Sequence, residues 1–456
     1  MSANDRAGPM VAQPRAKVRT VVPCRIVTNQ PDWFAGLAAL VSSFGLPTRV
    51  LTPARALADP VHEPGIDLLA LEGEEGSAST RELLARRHAS ASPVVALVRR
   101  GRPRLVSSAL ALGCEDGIAF PLAEDELRLR LELHAGYALL ARELRLREQV
   151  CARWPEQVRP APTAASDPLE GDVVLVGAPS PIQVKLADAL PLRRVVFVRS
   201  PRTAAARLVE DPPLLVVYAS DRGPGPEAAA VEELVRAARR ARVGCLLAAP
   251  EDTIAALDAR QLGFGDRIAA GDTPEELRLR LGFWLKLLRA RRGLSLQRRR
   301  AAGGPAVDPG SGLWSRAMLL DYLNRREAYP AGRERACVVV RLGGLEQLAA
   351  RLGHLIVERL LATAGERLAR ETRAEDLAAH LGEGVFCVVL PPSHEPEPEP
   401  LAARLREILA RPAVLGGEPH ALAVASVCGR LTRPADAPRT LERCVREAEP
   451  ALRRAA

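Results

Sequence analysis

Apolar residues in the first two thirds of the chain fall into short runs separated by amphipathic helical patterns. The first five runs lie near residues 21–27, 48–51, 66–71, 93–98 and 117–120. Five more lie near residues 172–177, 194–198, 213–218, 243–248 and 265–269. Short apolar strands that alternate with helices predict parallel sheets covered by helices on both faces. Five strands in each copy fit a flavodoxin-like strand order.

A six-residue repeat marks the two sets of runs as copies of one unit. The sequence ELRLRL occupies residues 126–131 and again residues 276–281, 150 positions further on. Stretches rich in Pro, Gly and Ala lie outside the copies, as is usual for connectors. The predicted organisation is a disordered tail (1–20), a first α/β domain (21–146), a linker (147–171), a second α/β domain (172–297), a linker (298–312) and a C-terminal domain (313–456).

The helix predicted over residues 275–300 carries Leu277, Leu281, Leu285 and Leu288 on one stripe. Such a stripe suits pairing with a helix of a second subunit. It suits packing of this helix on its own sheet at least as well. Both interpretations stay open at this stage.

The order and spacing of the two α/β units resemble tandem response-regulator receiver domains. Phosphoryl transfer to a receiver needs an acceptor Asp, a metal held by an acidic pair, and groups that neutralise developing charge. The acceptor position holds Glu72 in the first unit and Ala219 in the second. Thr28 and Asn29 stand where the first acidic pair belongs. The resemblance implies degenerate receivers that serve as structural or dimerising modules.

Glu72 leaves two interpretations open. Its carboxylate lies one methylene further out than that of Asp, so it could imitate a permanently phosphorylated residue. A surface Glu at a strand end needs no such role. Ala219 offers no acceptor group, so the second unit is not expected to be phosphorylated in the usual way.

Two motifs lie close together in the C-terminal third. Arg373 and Asp376 form an R-x-x-D, and five residues later comes the stretch Gly382, Glu383, Gly384, Val385 and Phe386. This arrangement resembles the signature region of GGDEF domains, the diguanylate cyclase family. The resemblance extends over residues 308–456 and implies an α+β fold like that of nucleotide cyclases, with a mainly antiparallel sheet flanked by helices.

The residues that the resemblance assigns to catalysis are altered. Condensing two GTP molecules needs metal ions held by carboxylates. The corresponding positions hold Arg341, Gly343 and, within the degenerate signature, Val385. Glu383 replaces the second Gly of the signature, which adds charge and bulk where the backbone approaches phosphate. We therefore expect no catalytic residue, no metal site and no cyclase activity.

The R-x-x-D motif, by contrast, is intact at the family spacing. In the family it binds the product, cyclic di-GMP, and a second Arg follows the signature Phe by 18 residues, which gives Arg404. Arg can donate two hydrogen bonds to guanine O6 and N7 or to phosphate, and Asp can accept from guanine N1 and N2. Arg373 and Asp376 could also be a plain surface ion pair that caps a turn.

Composition narrows the list of partners. The net charge is +9, yet the basic residues are 61 Arg and three Lys, and the Arg residues are spread along helices beside Glu. This distribution argues against nucleic acid as a partner. The eight Cys form no C-x-x-C pair and lie mostly in apolar runs, as in a reducing cytoplasm. No segment is long and apolar enough to predict a membrane span.

The domain order as a whole resembles tandem-receiver diguanylate cyclases. The prediction is a cytoplasmic, catalytically inactive signalling protein that needs no cofactor. It would bind cyclic di-GMP at Arg373, Asp376 and Arg404, form a homodimer and act on an unidentified protein partner. Two alternatives stay open: a diguanylate cyclase of weak activity, and a dimeric scaffold that acts without ligand.

Overall fold

The computed structural model describes the chain from residue 22 to residue 455, with gaps. The described ranges are 22–59, 65–72, 78–88, 92–99, 102–120, 122–154, 172–190, 195–221, 225–252, 262–329, 334–392, 397–415 and 417–455. The predicted tail, residues 1–20, and residues 155–171 of the first predicted linker lie outside these ranges.

The first α/β unit is a parallel five-stranded sheet. Its strands are β1 (Cys24–Val27), β2 (Thr48–Leu51), β3 (Ile66–Ala70), β4 (Val94–Arg99) and β5 (Asp116–Phe120). Its helices are α1 (Ala35–Ser43), α2 (Pro53–Ala58), α3 (Ala78–His88), α4 (Pro103–Ala111) and α5 (Glu124–Cys151). The strand order is β2-β1-β3-β4-β5, with parallel pairing throughout. This is the flavodoxin-like order that the apolar runs predict.

The second α/β unit repeats this plan. Its strands are β6 (Val173–Val176), β7 (Val195–Val198), β8 (Leu215–Ala219), β9 (Gly244–Ala249) and β10 (Asp266–Ala269). Its described helices are α6 (Pro181–Ala189), α7 (Pro201–Glu210), α8 (Ala228–Ala241) and α9 (Pro274–Arg300). The order β7-β6-β8-β9-β10 is that of the first unit, shifted by five strands. The predicted fold class is confirmed for both units.

The C-terminal domain is built on a mixed sheet. Its strands are β11 (Trp314–Ser315), β12 (Arg335–Gly343), β13 (Leu377–Gly382), β14 (Val385–Val389), β15 (Ala413–Leu415), β16 (Glu418–His420) and β17 (Ala423–Leu431). Its helices are α10 (Arg316–Leu323), α11 (Leu345–Leu352), α12 (His354–Glu371), α13 (Glu399–Ala410) and α14 (Ala437–Ala455). The main sheet has the order β11-β13-β14-β12-β17, antiparallel except for the β11–β13 pair. The predicted cyclase-like architecture is confirmed.

Helix α5 is shared by all three domains. Its N-terminal half buries Leu127 and Leu131 in the core of the first unit. Leu140 joins the core of the second unit, and Leu146 and Val150 lie in the core of the C-terminal domain. With 28 residues, the helix is about 42 Å long and continues past residue 146, where the sequence predicts the first domain to end.

Helix α9 packs within its own chain. Thr273 and Glu276 form a capping box at its N-terminus. All four leucines of the predicted stripe are buried in the core of the second unit: Leu277, Leu281, Leu285 and Leu288. The stripe therefore serves intramolecular packing, the second of the two interpretations left open by the sequence.

Candidate functional site

The turn that carries Arg373 and Asp376 joins the end of α12 to β13. At the helix end the Thr372 hydroxyl donates to the carbonyl oxygen of Leu368 at 2.8 Å. The backbone N–H of Arg373 donates to Oδ2 of Asp376 at 2.7 Å, which closes the turn on itself. Arg373 is exposed, whereas Asp376 is only 8% exposed. The two residues belong to one ordered turn, but only Arg373 reaches solvent freely.

Arg404 comes to the same place from α13. Its Nη2 donates to the carbonyl oxygen of Glu371 at 3.1 Å, and its Nε lies 3.6 Å from Oε2 of the same residue. Glu371 is the last residue of α12 and stands two positions before Arg373. The fold thus brings all three residues of the predicted ligand site to one end of one helix.

A third guanidinium reaches the turn from α5. Arg147, which is 3% exposed, donates to three successive carbonyl oxygens: Ala374 at 3.2 Å, Glu375 at 2.9 Å and Asp376 at 3.1 Å. Its Nε is held 2.8 Å from Oε1 of Glu143. The sequence predicts that Arg147 lies in a linker. It therefore does not predict these hydrogen bonds to residues more than 220 positions away.

The second unit supplies a fourth guanidinium. Arg242, which ends α8 in the left-handed conformation with φ of 60°, donates from Nη2 to three carbonyl oxygens. These belong to Ala369 at 3.0 Å, Arg370 at 2.7 Å and Thr372 at 3.0 Å. The last carbonyl groups of a helix lack partners in the helix and carry partial negative charge, so they attract cations.

A further guanidinium, that of Arg298 on α9, lies within range of these charges. Burial lowers the pKa of the half-buried Arg298 on α9, and the charges of Arg299, Arg242 and Arg147 lower it further. The part of this shift that other guanidinium groups cause shows that like charges lie near one another here. Several guanidinium groups therefore meet at the joint between the turn and the two α/β units.

Asp376 has an unusual titration. Burial raises the pKa of its carboxyl group to about 7, with a further contribution from the neighbouring charge of Glu375. The N–H and the charge of Arg373, together with the charge of Arg147, act in the opposite direction. Desolvation therefore outweighs the two cations, and the carboxyl group exchanges its proton near neutral pH.

The signature hairpin lies away from this turn. Glu383 and Gly384 connect β13 to β14, and Glu383 adopts a left-handed conformation with φ of 51°. A Cβ atom at Gly384 would come 2.4 Å from Cδ1 of Leu345, and one at Gly343 would come 2.7 Å from Cδ2 of Leu452. Leucine side chains therefore occupy the space beside both glycines.

The remaining signature residues complete two strands. Gly382 ends β13 with φ of 100°, and Val385 begins β14 opposite Arg341 of β12. Phe386 is fully buried and stacks on His380, with ring centroids 4.7 Å apart. His380 in turn lies 2.8 Å through Nδ1 from Oδ1 of Asp308.

The two receiver acceptor positions differ in their surroundings. Glu72 is exposed, and its Oε1 accepts a hydrogen bond from the Thr28 hydroxyl at 2.8 Å. This bond ties the end of β3 to the end of β1. Ala219 is buried, and a Cβ atom at Gly177 would lie 2.2 Å from its carbonyl oxygen. The backbone of Gly177 therefore lies close to the Ala219 carbonyl group, and only Gly fits at position 177.

A buried polar network joins α5 to the C-terminal domain. The Tyr322 hydroxyl lies 2.9 and 2.8 Å from the two carboxylate oxygens of Glu143. Arg335, which is fully buried, lies 3.3 Å from Oε2 of Glu143 and donates to the carbonyl oxygen of Ala328 at 2.6 Å. The Arg147 and Arg335 guanidinium groups hold the pKa of Glu143 below its usual range against the effect of burial. In the sequence, the regular apolar spacing from Leu139 through Leu146 to Val150 indicates that α5 continues, although it does not show which core these residues enter.

The described residues contain neither a metal-binding cluster nor a membrane span. Within those ranges, no group of three or more His, Cys, Asp or Glu side chains is arranged to hold a metal ion. No helix in the described part of the chain is long and apolar enough to cross a membrane.

Comparison with known proteins places the C-terminal third in a family. Among solved structures, the chain is similar to the FimX GGDEF domain from Pseudomonas aeruginosa, at 21% identity over 33% of this chain and 94% of that chain, with a TM-score of 0.31. It is also similar to a sensory box/GGDEF family protein from Caulobacter crescentus, at 30% identity over 33% and 97%, with a TM-score of 0.27. A third is the coiled coil and GGDEF domain of DgcB from the same organism in complex with c-di-GMP, at 21% identity over 36% and 85%, with a TM-score of 0.28.

A comparison with curated proteins finds no significant match. The family model described as diguanylate cyclase, GGDEF domain, matches residues 305–456, beginning before the predicted boundary at residue 313. This stretch contains the turn with Arg373 and Asp376, the signature hairpin and Arg404. The match identifies residues 305–456 as a GGDEF domain, preceded in this chain by two flavodoxin-like α/β units.

Proposed function

We propose that this chain is a cytoplasmic, catalytically inactive signalling protein that binds cyclic di-GMP through Arg373, Asp376 and Arg404 of its GGDEF domain. The observation that carries the proposal is that these three residues meet at the end of α12. Arg404 contacts Glu371, the last residue of the helix, and the Asp376 carboxylate accepts from the backbone N–H of Arg373 in the turn that follows. In this view the protein passes the binding signal to a protein partner.

The chemistry of the turn suits one edge of a guanine base and a phosphate. Guanidinium groups donate paired hydrogen bonds to guanine O6 and N7 or to phosphate oxygens. An ionised Asp376 would accept hydrogen bonds from guanine N1 and N2. Cyclic di-GMP carries two phosphate charges, which the surplus of guanidinium groups around the turn would attract.

The proposed loss of cyclase activity rests on the positions that would hold metal and triphosphate. Arg341 brings a positive charge to a position where the family has a metal-binding Asp, and Val385 offers no ligand oxygen. Glu383 adds a negative charge in the turn of the signature hairpin, and Leu345 packs against Gly384. We expect no conversion of GTP in the presence of Mg²⁺, and steady turnover would instead support a weak diguanylate cyclase.

The test is calorimetric titration of the purified chain with cyclic di-GMP. We expect binding at micromolar concentration or tighter, abolished in Arg373→Ala because the guanine edge then loses its donor. Arg370→Ala is the matched control, since Arg370 lies on α12 three positions before Arg373 and its side chain pairs with the exposed Glu366. Unaltered binding by Arg373→Ala would refute the site.

A ligand-independent scaffold is the second candidate function. The buried network of Glu143, Tyr322 and Arg335 joins the domains without any ligand, which favours a fixed arrangement. Absence of cyclic di-GMP binding, together with a dimer in light scattering, would select this candidate.

A further inference from the structure

The turn that carries the proposed ligand site is covered by the two α/β units. Ala374, in the middle of the R-x-x-D, packs against the apolar cluster of the second unit, which includes Leu140 of α5 and Leu294 of α9. Asp376 is only 8% exposed, and one of its carboxylate oxygens accepts from the N–H of Arg373. In this arrangement the carboxylate is poorly accessible to a base from solvent.

Guanidinium groups from other domains hold the turn in this position. Arg242 bonds three carbonyl oxygens at the end of α12, and Arg147 bonds three in the turn itself. Of the two, Arg242 is exposed and Arg147 is buried. The Arg242 contact is therefore the one that solvent and ligand can reach and replace.

The docked arrangement also carries a cost. Burial lowers the pKa of Arg298 on α9, and the nearby charges of Arg299, Arg242 and Arg147 lower it further, so its charged form is disfavoured where the domains meet. The network of Glu143, Tyr322 and Arg335 involves α5 and the GGDEF domain only, so it need not break when the end of α8 leaves the end of α12.

We propose that cyclic di-GMP and the second α/β unit compete for the R-x-x-D turn, so that ligand binding releases the contact between Arg242 and the end of α12. This inference rests on the proposed function, because it assumes that the turn binds the ligand. Arg242 is in this view an autoinhibitory residue, and the surface freed on the second unit becomes available to the protein partner.

Arg242→Ala distinguishes competition for the turn from direct contact between Arg242 and the ligand, because the two predict opposite changes in the affinity for cyclic di-GMP. If only the open form binds, the apparent dissociation constant equals the intrinsic constant divided by the open fraction. Arg242→Ala removes hydrogen bonds that exist only in the closed form, so it raises the open fraction. If instead Arg242 contacted the bound ligand, the same change would weaken binding.

The experiment is calorimetric titration of the full chain and of Arg242→Ala with cyclic di-GMP. We expect the variant to bind at least about threefold more tightly. Arg240→Ala is the matched control, since Arg240 is an exposed residue of the same helix, and we expect it to leave the affinity unchanged. Unchanged or weaker binding by Arg242→Ala would overturn the inference while leaving the ligand site in place. Absence of binding by every form would overturn the proposed function with it.

A second measurement uses the unaltered protein. Hydrogen exchange of the chain with and without cyclic di-GMP reports on the segments at the joint. We expect ligand to speed exchange around residue 242, at the end of α8, because the contact with α12 is lost there. Slower exchange at that segment would mean that ligand bridges the two domains, which contradicts competition.

Discussion

Single residues at the joint between domains decide how accessible the proposed ligand site is. The sequence alone predicted Arg373 and Asp376 from their spacing, and Arg404 from its distance to the signature. It could not predict the burial of Asp376, because Arg147 lies 229 positions earlier in the chain. Local pattern identifies which groups can bind a base, whereas long-range packing decides whether they are accessible.

The titration of Asp376 predicts a pH dependence of ligand binding. Its pKa is raised to about 7 in the closed chain, whereas an exposed Asp titrates at about 4. Between these two pH values the Asp376 carboxyl group keeps its proton in the closed form and has lost it in the open form. This group therefore favours the closed form at low pH, and that advantage is lost as pH rises through 7. The groups that face Asp376 are Arg147 of α5 and Arg373 and Glu375 of the turn.

We therefore expect cyclic di-GMP to bind more tightly as pH rises from 6 to 8, because opening becomes easier and an ionised carboxylate accepts from guanine. Calorimetric titrations at several pH values measure this. Glu375→Gln should move the midpoint to lower pH, since the charge of Glu375 raises the pKa of Asp376. A flat profile in the unaltered chain would contradict the assignment of Asp376 to the site.

Among the elements, α5 departs most from its sequence prediction. The repeat ELRLRL predicts a long helix, and this is confirmed. The sequence predicts the domain to end at residue 146, however, whereas the helix continues to Cys151. The last turns of α5 contribute Leu146 and Val150 to the GGDEF core. A helix that leaves one core and enters another keeps the same amphipathic pattern, so the pattern alone gives no sign of the transition.

The polar network between α5 and α10 predicts a measurable contribution to stability. Tyr322→Phe removes the hydroxyl that lies within 2.9 Å of both carboxylate oxygens of Glu143. We expect a loss of about 1.5–3 kcal/mol in the free energy of unfolding, as for other hydrogen bonds to buried charged groups. Denaturant titration followed by circular dichroism gives the value.

Tyr329→Phe is the control for this substitution. The Tyr329 hydroxyl is buried and has no hydrogen-bond partner among the described residues. Its removal is therefore expected to be neutral or slightly stabilising. Equal destabilisation by the two substitutions would show that the network between α5 and α10 contributes nothing beyond side-chain packing.

At the scale of the whole molecule, the two α/β units meet through equivalent faces. Buried Asp–Arg pairs occur at positions 116 and 130 in the first unit and 266 and 280 in the second. Arg267 of the second unit lies 3.0 Å from Glu126 of the first. The 150-residue repeat predicted two copies of one fold, but identical patterns carry no information on how the copies pack against each other.

Continuity of α5 through three cores predicts that the domains unfold together. Separate domains usually give separate transitions. Here the loss of any one core exposes apolar residues of a helix that the others need. We expect a single calorimetric transition for the full chain. Resolved transitions, with one domain melting well before the rest, would contradict this coupling.

The shared helix also limits how this protein can be divided into interchangeable modules. A fragment cut at residue 305 would keep the whole family match yet lose Leu146, Val150 and the Glu143 carboxylate that faces Arg335. Exchange of this GGDEF domain with that of a relative would require the last turns of α5 to be exchanged with it. For recombinant fusions, the natural unit of transfer is therefore the GGDEF domain together with a segment from an earlier domain.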